Sequence, residues 1–385
     1  MISITNKKFC SGCSACFSIC PQNCIELKED EDGFLYPHVN QQLCIQCELC
    51  DKACPFKSDF LMPYPRQTFA CKSLNKDIKL KSSSGGIFTL LANNVLNNNG
   101  VVFGASFNEK FGVEHIMIDN TNDLPKLRGS KYVQSVMGNT YANTKNQLNA
   151  GKQVLFSGTA CQIAGLKAYL GKEHDNLLCV DVVCHGTPSP KVFSSYLTSL
   201  SKKRGKLKAI SFRDKRLGWI KFRFKIEFEN STIDNYHIDD PYMQGFLQNL
   251  TLRPSCFHCR TRMSGSDLSL ADYWGIQRKY PNFYDPDGVS LVIINTKKGK
   301  QIFDYITNEI EAIETDYSYA KQGNYCIEKS VSPHPKREEF FYEFSKDPTE
   351  VINLLKKHLN ITTISMLKRK IHSFLGKIKR FISRG

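Results

Sequence analysis

Two cysteine runs near the N-terminus constrain the fold of this chain more than any other feature of its sequence. The first reads CSGCSACFSICP, from Cys10 to Pro21, and the second reads CIQCELCDKACP, from Cys44 to Pro55. Both follow the pattern C-x2-C-x2-C-x3-C-P, and the second run begins 34 residues after the first. The duplication places eight thiols in two short loops, so this segment must fold around whatever those thiols bind.

The spacing is typical of bacterial two-cluster ferredoxins, in which each run supplies three ligands to one 4Fe–4S cluster and its fourth cysteine to the other. The predicted ligand sets are Cys10, Cys13, Cys16 and Cys54 for one cluster, and Cys44, Cys47, Cys50 and Cys20 for the other. A pair of zinc sites is the alternative that the pattern leaves open. Disulfides are disfavoured, because the chain is long and its first residues, MISITNKKFCSGC, contain no apolar secretory segment.

Between the two runs, the stretch CIELKEDEDGFLYPHV predicts a β-hairpin. Its residues alternate on both sides of an acidic turn at Asp30 to Gly33. Cys24 belongs to neither ligand set, and we interpret it as a small buried residue.

The composition indicates an ordinary folded protein. With 385 residues, 41% of them apolar, the chain is long enough for two or three domains. No run of eighteen apolar residues occurs, so the sequence predicts no transmembrane helix, and we expect a cytoplasmic protein. The formal charge of +15 overstates the charge of the loaded protein, because each 4Fe–4S cluster with its four thiolates adds about −2.

The body of the chain alternates predicted strands and helices, which indicates an α+β or α/β fold with some antiparallel sheet in the middle. Neither G-x-G-x-x-G nor a Walker A motif occurs, so a Rossmann or P-loop nucleotide site is unsupported. The stretch SSSGGIF, from Ser82 to Phe88, opens a predicted helix instead. Free N–H groups at a helix start suit a phosphate, although a plain helix N-cap is an equally simple interpretation.

Seven cysteines lie outside the N-terminal runs and Cys24, and four of them are candidates for a further metal site. Cys161 and Cys184 each follow an apolar strand, where α/β folds place ligand sites, and Cys256 and Cys259 form a C-x2-C pair. Four thiolates suffice for a third 4Fe–4S cluster. At this point a zinc site and unrelated buried thiols remain open alternatives. The remaining three cysteines are Cys71, Cys179 and Cys326.

Several longer motifs, in their order along the chain, resemble the coenzyme F-420 hydrogenase/dehydrogenase beta-subunit family. They are SSSGGIF, GVVFGASF, RGSKYVQS, LFSGTACQIAGL, DVVCHGTPSPKV, CFHC and LADYWGI. The fused two-cluster segment is similar to the bacterial branch of that family that is often encoded with polysaccharide-synthesis genes. In the family's T-x-C-Q motif proline usually precedes the cysteine, whereas here Ala160 stands there, which predicts a slightly less rigid loop.

The resemblance implies an FAD-containing oxidoreductase with an iron–sulfur cluster beside the flavin. It assigns Cys161, Cys184, Cys256 and Cys259 to that cluster. The residues it implies near the flavin are Ser83, Ser84, Gly85, Gly86, Lys131 and Tyr132.

The implied function is electron transfer between 4Fe–4S clusters and FAD, to or from a small-molecule substrate. His185, Asp272 and Lys131 are the candidate catalytic groups, and purely structural roles remain the alternative for His185 and Asp272. A redox donor such as ferredoxin or a partner oxidoreductase subunit is the implied partner. Two other classes stay open, namely a non-catalytic electron-transfer subunit and a structural metalloprotein in polysaccharide assembly.

These patterns divide the chain into four predicted segments. They are a two-cluster ferredoxin-type domain (1–62), two beta-subunit-like domains (65–150 and 151–345) and a basic amphipathic helical tail (350–385). The last 35 residues hold nine Lys or Arg and no acidic residue, and apolar residues recur on one helical face. This predicts either a peripheral contact with an anionic membrane or packing on a protein, and the absence of a nucleic-acid module disfavours nucleic-acid binding.

Overall fold

A computed structural model describes residues 1–57, 66–262 and 265–361. The first of these ranges forms the ferredoxin-type domain. Its elements are helix α1 (Ala15–Ile19), strands β1 (Ile25–Glu29) and β2 (Leu35–Val39), and helix α2 (Leu49–Lys52). Strands β1 and β2 pair antiparallel, which confirms the predicted hairpin.

The hairpin turn fits closely against the rest of the chain. Gly33 has φ of +84°, and a Cβ at this position would lie 2.1 Å from the Cβ of Lys191. The neighbouring Phe34 N–H donates to the Asp30 carboxylate at 2.8 Å, which closes the acidic turn. Only glycine therefore permits both this turn and its close approach to the body.

The body begins with alternating strands and helices. Its first elements are β3 (Gln67–Ser73), α3 (Lys76–Leu80), α4 (Ile87–Asn97), β4 (Val101–Phe107), β5 (Val113–Ile118), α5 (Leu124–Leu127), α6 (Thr140–Asn149), β6 (Val154–Thr159), α7 (Ala160–Leu170), β7 (Leu177–Val182) and α8 (Pro190–Ser201). Strands β6 and β7 read VLFSGT and LLCVDV, and such nearly continuous apolar runs are typical of parallel strands covered on both faces.

The second part of the body contains more antiparallel pairing. Its elements are β8 (Leu207–Asp214), β9 (Arg223–Phe228), β10 (Thr232–Tyr236), α9 (Pro241–Leu247), β11 (Leu268–Asp272), α10 (Ile276–Lys279), β12 (Ser290–Ile294), α11 (Lys297–Tyr305), β13 (Ile310–Thr315), α12 (Tyr317–Gly323), α13 (Arg337–Lys346) and α14 (Val351–His358). Strands β8, β9 and β10 form a separate antiparallel sheet, as the sequence predicted for this stretch.

Across the described residues, the large sheet has the strand order β13-β3-β12-β11-β7-β6-β4-β5. Strands β4, β6, β7 and β11 are mutually parallel neighbours, and the flanking strands are antiparallel. The carboxyl ends of β6, β7 and β11 consequently meet at one edge of the sheet. Open α/β sheets place their ligands at such an edge.

The predicted fold class is confirmed, because a ferredoxin-like domain precedes a mixed α/β body. The proposed boundary at residue 150 lies inside the large sheet, since β4 on one side of it pairs with β6 on the other. Most of the predicted helical tail, residues 362–385, lies outside the described residues. No helix in the described part of the chain is long and apolar enough to cross a membrane.

Candidate functional site

The first predicted ligand set comes together beside helix α1. Cys10, Cys13, Cys16 and Cys54 line one small space, which we call the first pocket. The pKa of the Cys13 thiol is raised to about 12, chiefly by burial and to a lesser degree by the sulfurs of Cys10 and Cys54. The fourth cysteine of the second run therefore joins the first three of the first run, as the spacing indicated.

The other set forms a second pocket at the outer end of the domain. Cys20, Cys44, Cys47 and Cys50 line it together with Cys24. Cys24 is buried as predicted, and its sulfur lies 3.4 Å from that of Cys20, a proximity that the sequence did not indicate.

The two cysteine loops adopt the same unusual backbone at equivalent positions. Gly12 and Ser14 have φ of 69° and 68°, and Gln46 and Glu48, each 34 residues later, have φ of 55° and 61°. A left-handed conformation costs residues other than glycine about 1–3 kcal/mol each. Strain repeated at matching positions supports a shared task, which is to turn three cysteine side chains of each loop toward one centre.

A third pocket lies at the edge of the sheet and is lined by the four later cysteines. Cys161 is in the first turn of α7, Cys184 follows β7, and Cys256 and Cys259 lie at the short 3-10 turn Pro254–His258. The chain brings these side chains together from three places far apart in sequence. Cys326 lines the same pocket as a fifth thiol.

The sulfurs of the third pocket influence one another electrostatically. Burial raises the pKa of Cys161 to about 12, and the nearby Cys259 adds to the increase. The pKa of Cys184 is also raised well above its ordinary value, by burial first and then by Cys256 and Cys161. These mutual effects agree with the position of the four thiols around one pocket.

The spacing of these sulfurs favours a cluster over a zinc ion. Four thiolates around zinc, each at ~2.3 Å, place their sulfurs about 3.8 Å apart. Over the described ranges, no three cysteine sulfurs lie within 4.8 Å of one another. The sulfurs are thus too far apart for three of them to share one zinc ion, and a third 4Fe–4S cluster stays a prediction.

Hydrogen bonds already reach two of the third-pocket sulfurs. The Thr187 N–H donates to Cys256 Sγ at 3.3 Å, and the Thr159 hydroxyl lies 3.1 Å from Cys161 Sγ. Thr159 is also the N-cap of α7, within a capping box completed by Gln162. Ala160 is therefore the first helical residue, a position at which proline is common because its fixed φ suits a helix start, and the lower rigidity expected with alanine stays a prediction.

The first and third pockets are neighbours. Ser11 and Phe56 line both of them. Helix α7, which carries Cys161 in its first turn, also packs on the ferredoxin domain, where a Cβ at Gly165 would lie 3.0 Å from Cys13 Sγ. One helix thereby contacts a predicted ligand of each pocket.

A much larger cavity, of about 570 Å³, opens on the other side of the third pocket. It gathers most of the residues predicted for the flavin and for catalysis, namely Ser83, Ser84, Gly86, Lys131, Tyr132, His185 and Asp272. Gly85 packs against the sheet, because a Cβ there would lie 2.4 Å from the Cys71 carbonyl oxygen. The glycine thus lets the SSSGG loop lie directly on the sheet.

The serines of this loop do not cap helix α4. The N-cap residue is Gly86, with φ of +96°, and it provides no side-chain hydrogen bond. Ser83 instead accepts from the Ser130 N–H at 2.8 Å, and Ser84 donates to the Val289 carbonyl at 2.8 Å. The plain N-cap interpretation is therefore wrong, and the first turn of α4 keeps N–H groups that no side chain satisfies.

Lys131 is a partly buried cation at the wall of the large cavity. Its ammonium donates to the carbonyls of Arg128 and Gly129 at 3.1 and 3.2 Å. Burial lowers the pKa of Lys131 to about 7. The side chain can thus gain or lose a proton near neutral pH.

Asp272 lies at the cavity wall in a buried ion pair. The Arg213 guanidinium donates to its two oxygens at 2.8 and 2.9 Å, and Trp219 Nε1 donates to one of them at 2.6 Å. Arg213 also donates to the Ser83 carbonyl at 3.2 Å, so the pair reaches the SSSGG loop. Arg213 could not be predicted from the sequence, because nothing local distinguishes it from the other basic residues of this region.

His185 and Tyr132 share an aromatic wall of the cavity. Tyr132 stacks on Phe246 with ring centroids 4.5 Å apart, and His185 meets the same ring edge-on. His185 Nε2 lies 2.6 Å from Asn249 Oδ1, and Nδ1 lies 3.9 Å from Cys326 Sγ. The proposed catalytic roles of His185, Asp272 and Lys131 stay predictions.

The third pocket and the large cavity share a wall. The residues that line both are Thr159, Val182, Val183, Cys184, Gly186 and Thr187. The first pocket, the third pocket and the large cavity therefore follow one another in space.

Comparison with known proteins identifies two modules in the chain. Residues 151–318 match the family model for the C terminus of the coenzyme F420 hydrogenase/dehydrogenase beta subunit, and residues 9–58 match the 4Fe-4S dicluster domain. The predicted family resemblance and the two-cluster prediction are thereby confirmed.

The individual relatives have low sequence identity to this chain, and two of the three matches cover most of its length. The chain is 23% identical over 361 residues to a subunit of the F(420)H(2) dehydrogenase of Methanosarcina mazei, a match that covers 88% of this chain and 93% of that protein. An uncharacterized ferredoxin of Methanocaldococcus jannaschii is 31% identical over 52 residues, covering 14% of this chain and 66% of the ferredoxin. A chain of the F420-reducing NiFe hydrogenase complex from Methanosarcina barkeri superposes with a TM-score of 0.44 and 18% identity, over 78% of this chain and 91% of that one.

Proposed function

We propose that this chain is a flavin-dependent iron–sulfur oxidoreductase of the coenzyme F420 hydrogenase/dehydrogenase beta-subunit family. In this proposal the first and second pockets hold the two ferredoxin-type clusters, the third pocket holds another 4Fe–4S cluster, and the large cavity holds FAD. The clusters supply single-electron transfer and the flavin supplies two-electron chemistry toward a small-molecule substrate. The name of the M. mazei relative makes coenzyme F420 the first substrate to test, and a sugar precursor the second.

The shared wall between the third pocket and the large cavity carries the proposal. Cys184 lines both the third pocket and the large cavity, and the next residue, His185, lines the large cavity. A group held by the four thiols would thus adjoin a group held in the cavity, with no other element between them.

The lining of the large cavity fits a ligand with a pyrophosphate. Three basic residues line it, namely Arg128, Lys131 and Arg213. The acidic Asp272 also lines it, but its charge is balanced by Arg213. The uncapped N-terminus of α4 adds N–H groups on the same side. FAD combines an anionic pyrophosphate with flat apolar rings, for which Tyr132, Phe246 and Trp274 offer aromatic surface.

An electron-transfer partner is proposed to contact the second pocket. Of the twelve predicted ligands, Cys47 alone is exposed within the described part of the chain. The same loop exposes Leu43, Ile45 and Leu49, which are 56%, 61% and 40% accessible. An apolar surface around an exposed ligand suits transient contact with another redox protein or subunit.

The proposal is tested by the composition of the anaerobically reconstituted protein. We expect about twelve irons per chain, from three clusters of four, together with one FAD. Dithionite should bleach the flavin band, and an added acceptor should restore it. Eight irons without FAD would instead identify a non-catalytic electron-transfer subunit.

Lys131 is expected to make FAD binding dependent on pH. Burial lowers its pKa to about 7, and a bound pyrophosphate favours the protonated form. FAD affinity should therefore be highest below about pH 7 and fall by up to tenfold per unit as the pH rises above it. Fluorescence titration of FAD over roughly pH 6 to 9 measures this slope.

Lys131→Met should weaken FAD binding at low pH and flatten the pH dependence. Lys110→Met, at an exposed position, is the matched control and should retain the wild-type profile. A Lys131→Met protein with the wild-type slope would show that another group is responsible.

A further inference from the structure

Arg253 is a completely buried cation between the ferredoxin domain and the body. Its side chain is 0% exposed. Nε donates to the Cys10 carbonyl at 2.7 Å, one terminal nitrogen donates to Gln134 Oε1 at 3.0 Å, and the other donates to the Leu35 carbonyl at 2.9 Å. Cys10 and Leu35 belong to the ferredoxin domain, and Gln134 belongs to the body.

None of these partners carries a carboxylate. Within the described residues, Arg253 has no Asp or Glu in ion-pair contact, whereas the other buried arginines Arg213 and Arg337 pair with Asp272 and Asp32. Arginine remains protonated in proteins, and a buried charge without a counter-charge is strongly unfavourable. Arg253 therefore requires an anion from another source.

Among the described residues, the Cys10 thiol lies within hydrogen-bond reach of the Arg253 guanidinium. The second terminal nitrogen lies 3.6 Å from Cys10 Sγ. In the loaded protein this sulfur belongs to a thiolate-ligated cluster with a net charge of about −2. A loaded first pocket would thus provide the counter-charge that no carboxylate supplies to Arg253 within the described residues.

The surroundings hold the guanidinium in this position. Its centre lies 4.2 Å from the ring centroid of Tyr36 and 5.3 Å from that of Phe34. Gly12 allows the loop to lie directly against the guanidinium, because a Cβ there would lie 2.8 Å from an Arg253 terminal nitrogen. Cys256 of the third pocket follows three residues later, and its N–H donates to the Arg253 carbonyl at 3.0 Å.

We propose that Arg253 is the counter-charge of the cluster in the first pocket, raises its reduction potential, and couples its binding to docking of the ferredoxin domain on the body. The proposal rests on the proposed electron route, because the first pocket is the step nearest to the third. A fixed positive charge stabilises the reduced, more negative cluster more than the oxidised one. Arg253 would thus hold the electron at the cluster from which it crosses into the body.

The test is an EPR-monitored redox titration of full-length, cluster-loaded protein carrying Arg253→Gln or Arg253→Lys. Arg253→Gln removes the charge, and we expect the reduction potential of one cluster to fall. The fall should be at least about 59 mV, which is a tenfold change in the one-electron equilibrium constant. If the uncompensated site instead releases that cluster, iron should fall from about twelve to about eight per chain. Arg253→Lys retains the charge and should restore most of either effect.

Arg337→Gln is the matched control. Arg337 is also a buried arginine across the same domain contact, but it binds the Asp32 carboxylate at 3.0 Å and no thiol. Its replacement should leave all cluster potentials unchanged. The proposal is overturned by wild-type potentials in Arg253→Gln, or by an Arg253→Lys protein that is equally defective. Wild-type protein without a cluster in the first pocket would instead refute the proposed function itself.

Discussion

Replacement of both Cys256 and Cys259 with serine is expected to remove one cluster. The ferredoxin domain should then no longer reduce FAD. The two side chains supply half of the third pocket and come from one short turn. Iron should fall from about twelve to about eight per chain, because the first and second pockets draw their ligands from the N-terminal runs alone. FAD should still bind, since neither residue lines the large cavity.

The decisive measurement separates delivery of electrons from the flavin's own reactivity. Reduction of the N-terminal clusters should proceed in the variant, while the flavin band should remain oxidised on the time scale of wild-type reduction. Photochemical reduction of the bound flavin should be unaffected. A variant that retains twelve irons, or one that reduces FAD at the wild-type rate, would rule out the third pocket as the connection.

Two controls make this comparison specific. Cys179→Ala and Cys71→Ala remove buried thiols in strands β7 and β3, away from the ligand pockets, and should leave iron and FAD content unchanged. Cys326 lines the third pocket as a fifth thiol and could replace a lost ligand. Adding Cys326→Ser to the double variant excludes that substitution.

The N-terminal ligand sets could be predicted from sequence because their geometry is local. Three ligands of each cluster lie within seven residues of one another, so the spacing alone specifies the loop. The left-handed backbone at Gln46 and Glu48 could not be predicted, because neither residue favours it. It follows from the wrapping of the loop around its ligands rather than from residue preference.

The third pocket was only partly predictable. Cys161 and Cys184 could be nominated from their positions after apolar strands, and Cys256 and Cys259 from their spacing. Their convergence depends on the order of β6, β7 and β11 in the sheet, which no local pattern encodes. For this reason the residues alone did not distinguish a third 4Fe–4S cluster from a zinc site or from unrelated buried thiols. Only the family resemblance favoured the cluster.

The buried ion pairs and Arg253 were not predictable from the sequence. Arg213 and Asp272 are 59 residues apart, and Arg253 lies 243 residues from Cys10. In the sequence each of these residues is one of many charged residues. Their burial makes the pairing costly to break, and burial exists only in the folded chain. The same limit concealed the proximity of Cys24 to Cys20, because both belong to a loop whose course the cluster spacing does not define.

Asp272→Asn is expected to destabilise the body by about 3–5 kcal/mol, because it leaves the Arg213 guanidinium buried without its counter-charge. The side chains of Arg213 and Asp272 are 4% and 16% exposed, so water can compensate little of the loss. Chemical denaturation of the two proteins measures the difference. Asp304→Asn, in the exposed pair with Lys300, should change stability by less than about 1 kcal/mol.

A double variant separates the structural from the chemical role of Asp272. Arg213→Met with Asp272→Leu removes both charges, and replacement of a whole buried ion pair by apolar groups is often neutral. Stability should therefore recover in the double variant. If Asp272 serves only to hold Arg213 and the SSSGG loop, turnover should track FAD occupancy in every variant, since the carboxylate already accepts from Arg213 and Trp219. Turnover that stays lost in a stable, FAD-saturated double variant, with an altered pH profile, would instead assign Asp272 or its partner a direct part in the reaction.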